Sequence, residues 1–348
     1  MYSPHMATHD RRETGYSRRE FGKLALAAVP AASIWSALGD TRLSALEKIN
    51  SKINGVTIGA ITYSFRALST AEDVLKAYTT IGLGEMELMS NHAEALAGMP
   101  SGRGGGGGGR RGGAPPTPEQ IAARDAAAKA VKDWRASATE ATFKPVRQRI
   151  ADAGIDLRLL CYNMRDDRTS PEGFVVPGTP ADEIEYAFMM AKWLGVEAIT
   201  TSTQVSMAKR IAPFADKHKM MVGFHGHANT KDPNEVATPE TFDIVMAASK
   251  YHGANLDIGH YTEAGYDPVA FIQKHHARIT NTHLKDKKKA SNGGANGPWG
   301  TGDTPIKDVL KLVQKNKFQF PNNIEFEYEG DPVTEVTKCL QLCREMLG

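Results

Sequence analysis

"ADEIEYAFMMAKWLGVEAITTST", residues 181–203, contains the repeating unit of the chain. Ile184, Phe188 and Ala191 recur at spacings of four and three, so they line one face of a helix. Gly195 follows as a stop, because glycine takes at little cost the left-handed conformation that ends a helix. The apolar run after it, 196–203, reads as a strand. Working outward, comparable strand-like runs lie at 55–65, 83–89, 155–163, 220–226, 254–259, 279–285 and 323–329. Helical periodicity fills the intervals, and Gly154 and Gly253 stand, like Gly195, as helix stops ahead of a strand. Eight strand–helix units over about 290 residues have the size and rhythm of one (β/α)8 TIM barrel, an α/β fold. A doubly wound open sheet is the rival. It would carry a glycine-rich phosphate fingerprint after an early strand, which this sequence lacks.

The 348 residues carry a formal charge of +2. Segments 1–40 and 101–118 contribute +1 and +3, which leaves the body at −2. A near-neutral body argues against a nucleic-acid partner, since such surfaces cluster Lys and Arg against phosphates. Cys161, Cys339 and Cys343 form no disulfide framework and are expected to be buried thiols. "SGRGGGGGGRRGGAPPTP" (101–118) has almost nothing apolar to bury and is expected to be a flexible Gly/Arg-rich insertion after the second strand. Helix resumes behind it, with Thr117 as N-cap and Pro118 in the first turn.

Near the start, "SRREFGKLALAAVPAAS" (17–33) pairs Arg18 and Arg19 with Phe21 and Lys23, ahead of a modest apolar segment. It resembles a twin-arginine export signal, which implies a periplasmic protein exported already folded. That apolar segment is too short for a comfortable membrane span, so no integral membrane domain is expected beyond it. The division is then an export signal and linker over 1–48 and a barrel over 49–348.

In a barrel of this kind the chemistry sits at the C-terminal ends of the strands. Here the late strands end in His225 and His227, then Asp257 and His260, then His283, then Glu325, Glu327 and Glu329. Residues i and i+2 of a strand point the same way, so His225 and His227 share a face. Their segments are otherwise apolar, and isolated charges in a partly dry mouth are costly unless paired or bound to metal. A divalent cation held by one group from each of four neighbouring strands removes that cost.

"NLDIGH", "THLKDKK" and "IEFEYEG", in this order, resemble the xylose-isomerase-like superfamily of sugar isomerases, epimerases and related lyases, over roughly residues 54–347. In that family the last four strands each give a metal ligand. By position Asp257 and His283 match directly, Glu327 is the better match on the eighth strand, and Glu325 is the fallback. Where many members carry a glutamate on the fifth strand, this chain has His225. That makes His225 the expected ligand and His227 a second ligand or a substrate contact. Glu87, in "GEMELMS", resembles a second-strand glutamate near the pocket floor, with His92 following in the loop. "WGTGDTP" (299–305) resembles a loop that approaches substrate, with Trp299 as an apolar wall for a sugar ring.

The resemblance implies a small carbohydrate as partner and Mn²⁺, Zn²⁺, Co²⁺ or Fe²⁺ as cofactor, the mixed His/carboxylate set suiting these. It implies proton abstraction next to a carbonyl and an enediolate intermediate, leading to isomerisation or epimerisation. A keto-sugar dehydratase on the same metal site, or a non-catalytic sugar-binding barrel, are the alternatives. Expected to move protons or touch substrate oxygen are Glu327, His227, His260 and Lys285. His260 has a second possible role, orienting Asp257. A nuclease is disfavoured, because the first three strand ends lack the histidines of a multi-zinc cluster.

Overall fold

The computed structural model describes residues 48–100, 117–169 and 174–348. The export-signal segment and nearly all of the glycine-rich insertion lie outside the described residues. Eight strands form a closed parallel barrel: β1 Val56–Ile61, β2 Glu85–Met89, β3 Asp156–Cys161, β4 Ala198–Thr201, β5 Met221–His225, β6 His252–Asp257, β7 Ile279–Leu284 and β8 Asn322–Ile324. Each pairs with the next in sequence, and β8 returns to β1, with Asn323 opposite Gly59, so the sheet has no open edge. This is the (β/α)8 TIM barrel that the periodicity predicts, not the open sheet.

Helices cover the outside. In Ala181–Leu194, the stripe residues Ile184, Phe188 and Ala191 are buried, and Gly195 closes the helix at φ +72°. Gly154 also adopts a left-handed φ, of +77°, ahead of β3. Gly253 does not end a helix. It lies within β6, where a Cβ would meet the Arg278 carbonyl oxygen at 2.2 Å, so close backbone approach explains the glycine. After the insertion, Pro118–Ser137 begins at Thr117, whose side chain accepts from the Gln120 amide while Gln120 reaches back to the Thr117 amide. All three cysteines are buried and free. Among the described residues no helix is long and apolar enough to cross a membrane.

The barrel's interior is more polar than its outer wall. Glu85, Glu87, Thr200, Asn255, Asn281 and Asn323 are all buried, and most of these groups meet one another. The outward-facing Ile58, Ala60, Val222, Phe224, Leu256 and Leu284 join the apolar layer beneath the helices. The barrel axis is therefore a polar channel filled by side chains, ending at the C-terminal mouth.

Candidate metal centre

Register brings the ligand-type residues level. His283 on β7 stands opposite Asp257 on β6 and Asn323 on β8. Side chains alternate, so the next inward position beyond Asn323 is Glu325. His225 ends β5, one strand further round. One ligand atom from each of His225, Asp257, His283 and Glu325 lies within 4.8 Å of every other, and all four residues are buried.

The donor set fits a divalent cation. His225 Nδ1 is buried without a hydrogen-bond partner. Burial, with His227 and His283 nearby, holds the His225 pKa well below the ordinary histidine range, so its ring is neutral and has a free lone pair. His283 is held from behind, its Nε2 lying 2.7 Å from Glu87 Oε2 and its Nδ1 3.2 Å from Glu325 Oε2. Burial opposes its charge, but Glu87 and Glu325 outweigh burial and raise its pKa well above the usual value. A carboxylate on the far nitrogen of a ligating histidine fixes ring and tautomer. Asp257 has two roles. Its Oδ1 accepts from the His260 amide at 2.8 Å, capping the helix Ile258–Glu263, while Oδ2 faces the centre.

Lys285 occupies the same space. Its Nζ lies 3.0 Å from Asp257 Oδ2, 2.8 Å from Glu325 Oε2 and 2.6 Å from Glu327 Oε2. The Asp257 contact is an ion pair rather than an aligned hydrogen bond. Burial works against the ammonium, but the three carboxylates dominate and raise its pKa. Conversely, the Glu325 carboxyl, despite burial, is held well below its ordinary range by Lys285 and His283. A divalent ion entering between Asp257 and Glu325 would take over the charge balance that Lys285 supplies.

The expected residues divide as follows. His225, Asp257 and His283 converge, and the eighth-strand carboxylate that joins them is Glu325 rather than Glu327. Glu327 lies two residues beyond Glu325, further past the end of β8, and meets Lys285 instead. His260 sits at the rim, its Nε2 3.2 Å from Lys285 Nζ and its Nδ1 3.4 Å from Glu263 Oε2. The His227 ring centroid is 4.8 Å from that of His225 and 5.7 Å from that of His260, so it flanks the cluster without joining the four. His92 lies on the helix Ser90–Leu96, with Nδ1 2.9 Å from Thr62 Oγ1.

Two of the expected substrate contacts, Glu87 and Trp299, are buried. Glu87 is fully buried beneath the site. It accepts from His283 and from the Asn281 and Asn323 side-chain amides at 2.9 and 3.0 Å, and from the Thr200 hydroxyl. Trp299 is only 8% exposed and packs into the hydrophobic core. Ser202 and Glu235, unremarked in the sequence, both contact His227. Neither carries a motif, and only folding brings them to it.

The chain belongs to the xylose isomerase-like TIM-barrel family, whose model matches residues 122–346. No curated protein matches it in sequence. Solved structures share the fold at low identity. The probable 3-DHS dehydratase AsbF of Bacillus anthracis is 16% identical, with TM-score 0.56, over 82% of this chain and 98% of that one. A sugar phosphate isomerase/epimerase of Parabacteroides distasonis is 15% identical, with TM-score 0.53, over 87% and 99%. The IolI protein, solved with a zinc atom, is 11% identical, with TM-score 0.53, over 84% and 96%.

Proposed function

We propose that this protein is a divalent-metal-dependent enzyme that removes a proton next to the carbonyl of a sugar or keto-sugar, leading to isomerisation or epimerisation. The observation that carries the reading is the buried convergence of His225, Asp257, His283 and Glu325 at the barrel mouth. A bound cation would supply Lewis-acid polarisation of a substrate oxygen. The chain's own residues supply the rest. Glu87 keeps His283 oriented, and Asp257 is steadied by the helix it caps. Glu327, His227 and His260 stand at the rim, where a proton can be taken up or returned, and Lys285 places an ammonium beside Glu327 and His260.

Dehydration is the second reading, and His225 favours it. An imidazole in place of a fifth-strand carboxylate removes one of the two opposed carboxylates that a symmetric epimerisation uses. A histidine of the rim, free of metal, can instead protonate a leaving hydroxyl. The structural neighbour described as a probable 3-DHS dehydratase is in keeping with this outcome.

The test is incubation of metal-replete protein with a panel of sugars and keto-sugars in deuterated water. Deuterium at the carbon next to the carbonyl, with an isomer or epimer as product, supports the first reading. Formation of an unsaturated ketone supports the second. Sugar binding with no exchange and no dependence on metal would contradict both and leave a binding barrel.

A further inference from the structure

His227 is the centre of a second constellation beside the four converging residues. Its Nδ1 lies 2.5 Å from Glu235 Oε1, and its Nε2 lies 3.1 Å from the Ser202 hydroxyl oxygen. The Glu235 contact is off the ring-nitrogen axis, so it is a close polar approach rather than an aligned hydrogen bond. Two lone pairs at that separation repel, so the contact is favourable only when Nδ1 carries a proton. The backbone holds the three residues together. The His227 amide donates to the Val236 carbonyl at 2.8 Å, folding the loop after β5 back on itself. Gln204 and Glu235 form an isolated antiparallel bridge, and the Val205 amide donates to the Asn234 carbonyl at 2.8 Å, tying the loops after β4 and β5.

We propose that Glu235 is the positioning residue for His227, fixing its tautomer with the proton on Nδ1 and leaving Nε2 as the proton acceptor of the site. This rests on the function proposed above. Ser202 donates its hydroxyl proton to Nε2 and keeps the ring aimed at the mouth until substrate arrives. In the reaction, the Nε2 lone pair takes the proton from the substrate C–H, and the C–H bonding electrons stay on the substrate as its enolate. The imidazolium so formed faces the Glu235 carboxylate, and the proton is returned from Nε2 in the second half of the reaction. Neutral imidazole in water favours the other tautomer, so a fixed acceptor on Nδ1 changes which nitrogen is available. Ser, His and Glu in this order also resemble an acyl-transfer triad. However, the Ser202 amide, a group such a triad uses toward an oxyanion, already donates to Asn163 Oδ1 at 2.8 Å.

The test reads the tautomer directly. In the full chain labelled with ¹⁵N-histidine, the His227 signals are those lost in His227→Gln. The expected result is a protonated Nδ1 and a lone-pair Nε2, a shift of that proton to Nε2 in Glu235→Ala, and retention of the native tautomer in Glu235→Gln. A proton on Nε2 in the unaltered chain, or no change in Glu235→Ala, overturns the proposal. On any substrate found by the exchange screen, Glu235→Ala should lower kcat on the order of 10²-fold with KM little changed, and Glu235→Asp should recover part of it. A fall through KM alone counts against the role, as does covalent capture of Ser202 by an organophosphorus probe. If no sugar exchanges a proton, the functional reading fails while the tautomer measurement still decides the assignment of Glu235.

Discussion

Glu85 and Glu87 lie two residues apart on β2, are both buried, and have opposite surroundings. Glu87 receives hydrogen bonds from β4, β7 and β8 and anchors a histidine of the candidate metal centre. Neither oxygen of Glu85 has a hydrogen-bond partner. Its side chain lies against Gly59, where a Cβ would sit 1.6 Å from Oε2, so β1 keeps a glycine there to make room. Burial, only partly opposed by Arg158 and reinforced by Glu87, pushes the Glu85 carboxyl well above the ordinary carboxylate range. One buried acid is built into a network that reaches the site. The other has no partner for either oxygen, and burial disfavours its charged form. Burial alone therefore does not mark a functional carboxylate; the partners do.

The contrast has consequences of different size. Glu87→Leu should be the costliest change, because it leaves His283, Asn281, Asn323 and Thr200 without their common acceptor. A loss of about 3–5 kcal/mol in urea unfolding is expected, from breaking a buried charged pair. Any folded fraction should bind divalent metal roughly 10–100-fold more weakly. A variant as stable as the parent would show that the network is dispensable. Glu85→Gln should have the smaller and opposite effect, a gain of about 1 kcal/mol at neutral pH. The sign follows from linkage. The folded-state pKa is raised, so the native state binds more protons than the unfolded state above the ordinary glutamate pKa, and stability falls as pH rises through that window. The gain of the glutamine variant should thus shrink toward zero below about pH 4, where both states of the parent are protonated. A gain independent of pH would point to packing rather than to the charge.

The eight strands and the wheel of helices were legible because Ile184, Phe188 and Ala191 repeat at helical spacing and Gly195 ends the run. The polar strand ends were legible as well, since Asp257 and His283 interrupt apolar runs. What local pattern could not carry was anything fixed by register between distant strands. Glu325 and Glu327 lie two residues apart just past the end of β8, and only the folded chain shows that Glu325 is the one that converges with His225, Asp257 and His283. The partners of Glu87 come from three other strands, so its place beneath the site is invisible in "GEMELMS". Glu235 meets His227 only because the loop after β5 folds back on itself. Gly253 reads like Gly195 in sequence, and differs because a neighbouring carbonyl, not a helix end, requires it.

The claim on which the account depends is that four side chains, one from each of β5 to β7 and one just past β8, share a divalent ion, with Glu325 as the carboxylate beside His283. Metal titration of Glu325→Gln and Glu327→Gln in parallel with the parent tests it most directly. The account predicts one high-affinity site in the parent and in Glu327→Gln, and a loss of at least tenfold in Glu325→Gln. Equal affinity in parent and Glu325→Gln, or a loss confined to Glu327→Gln, would contradict it.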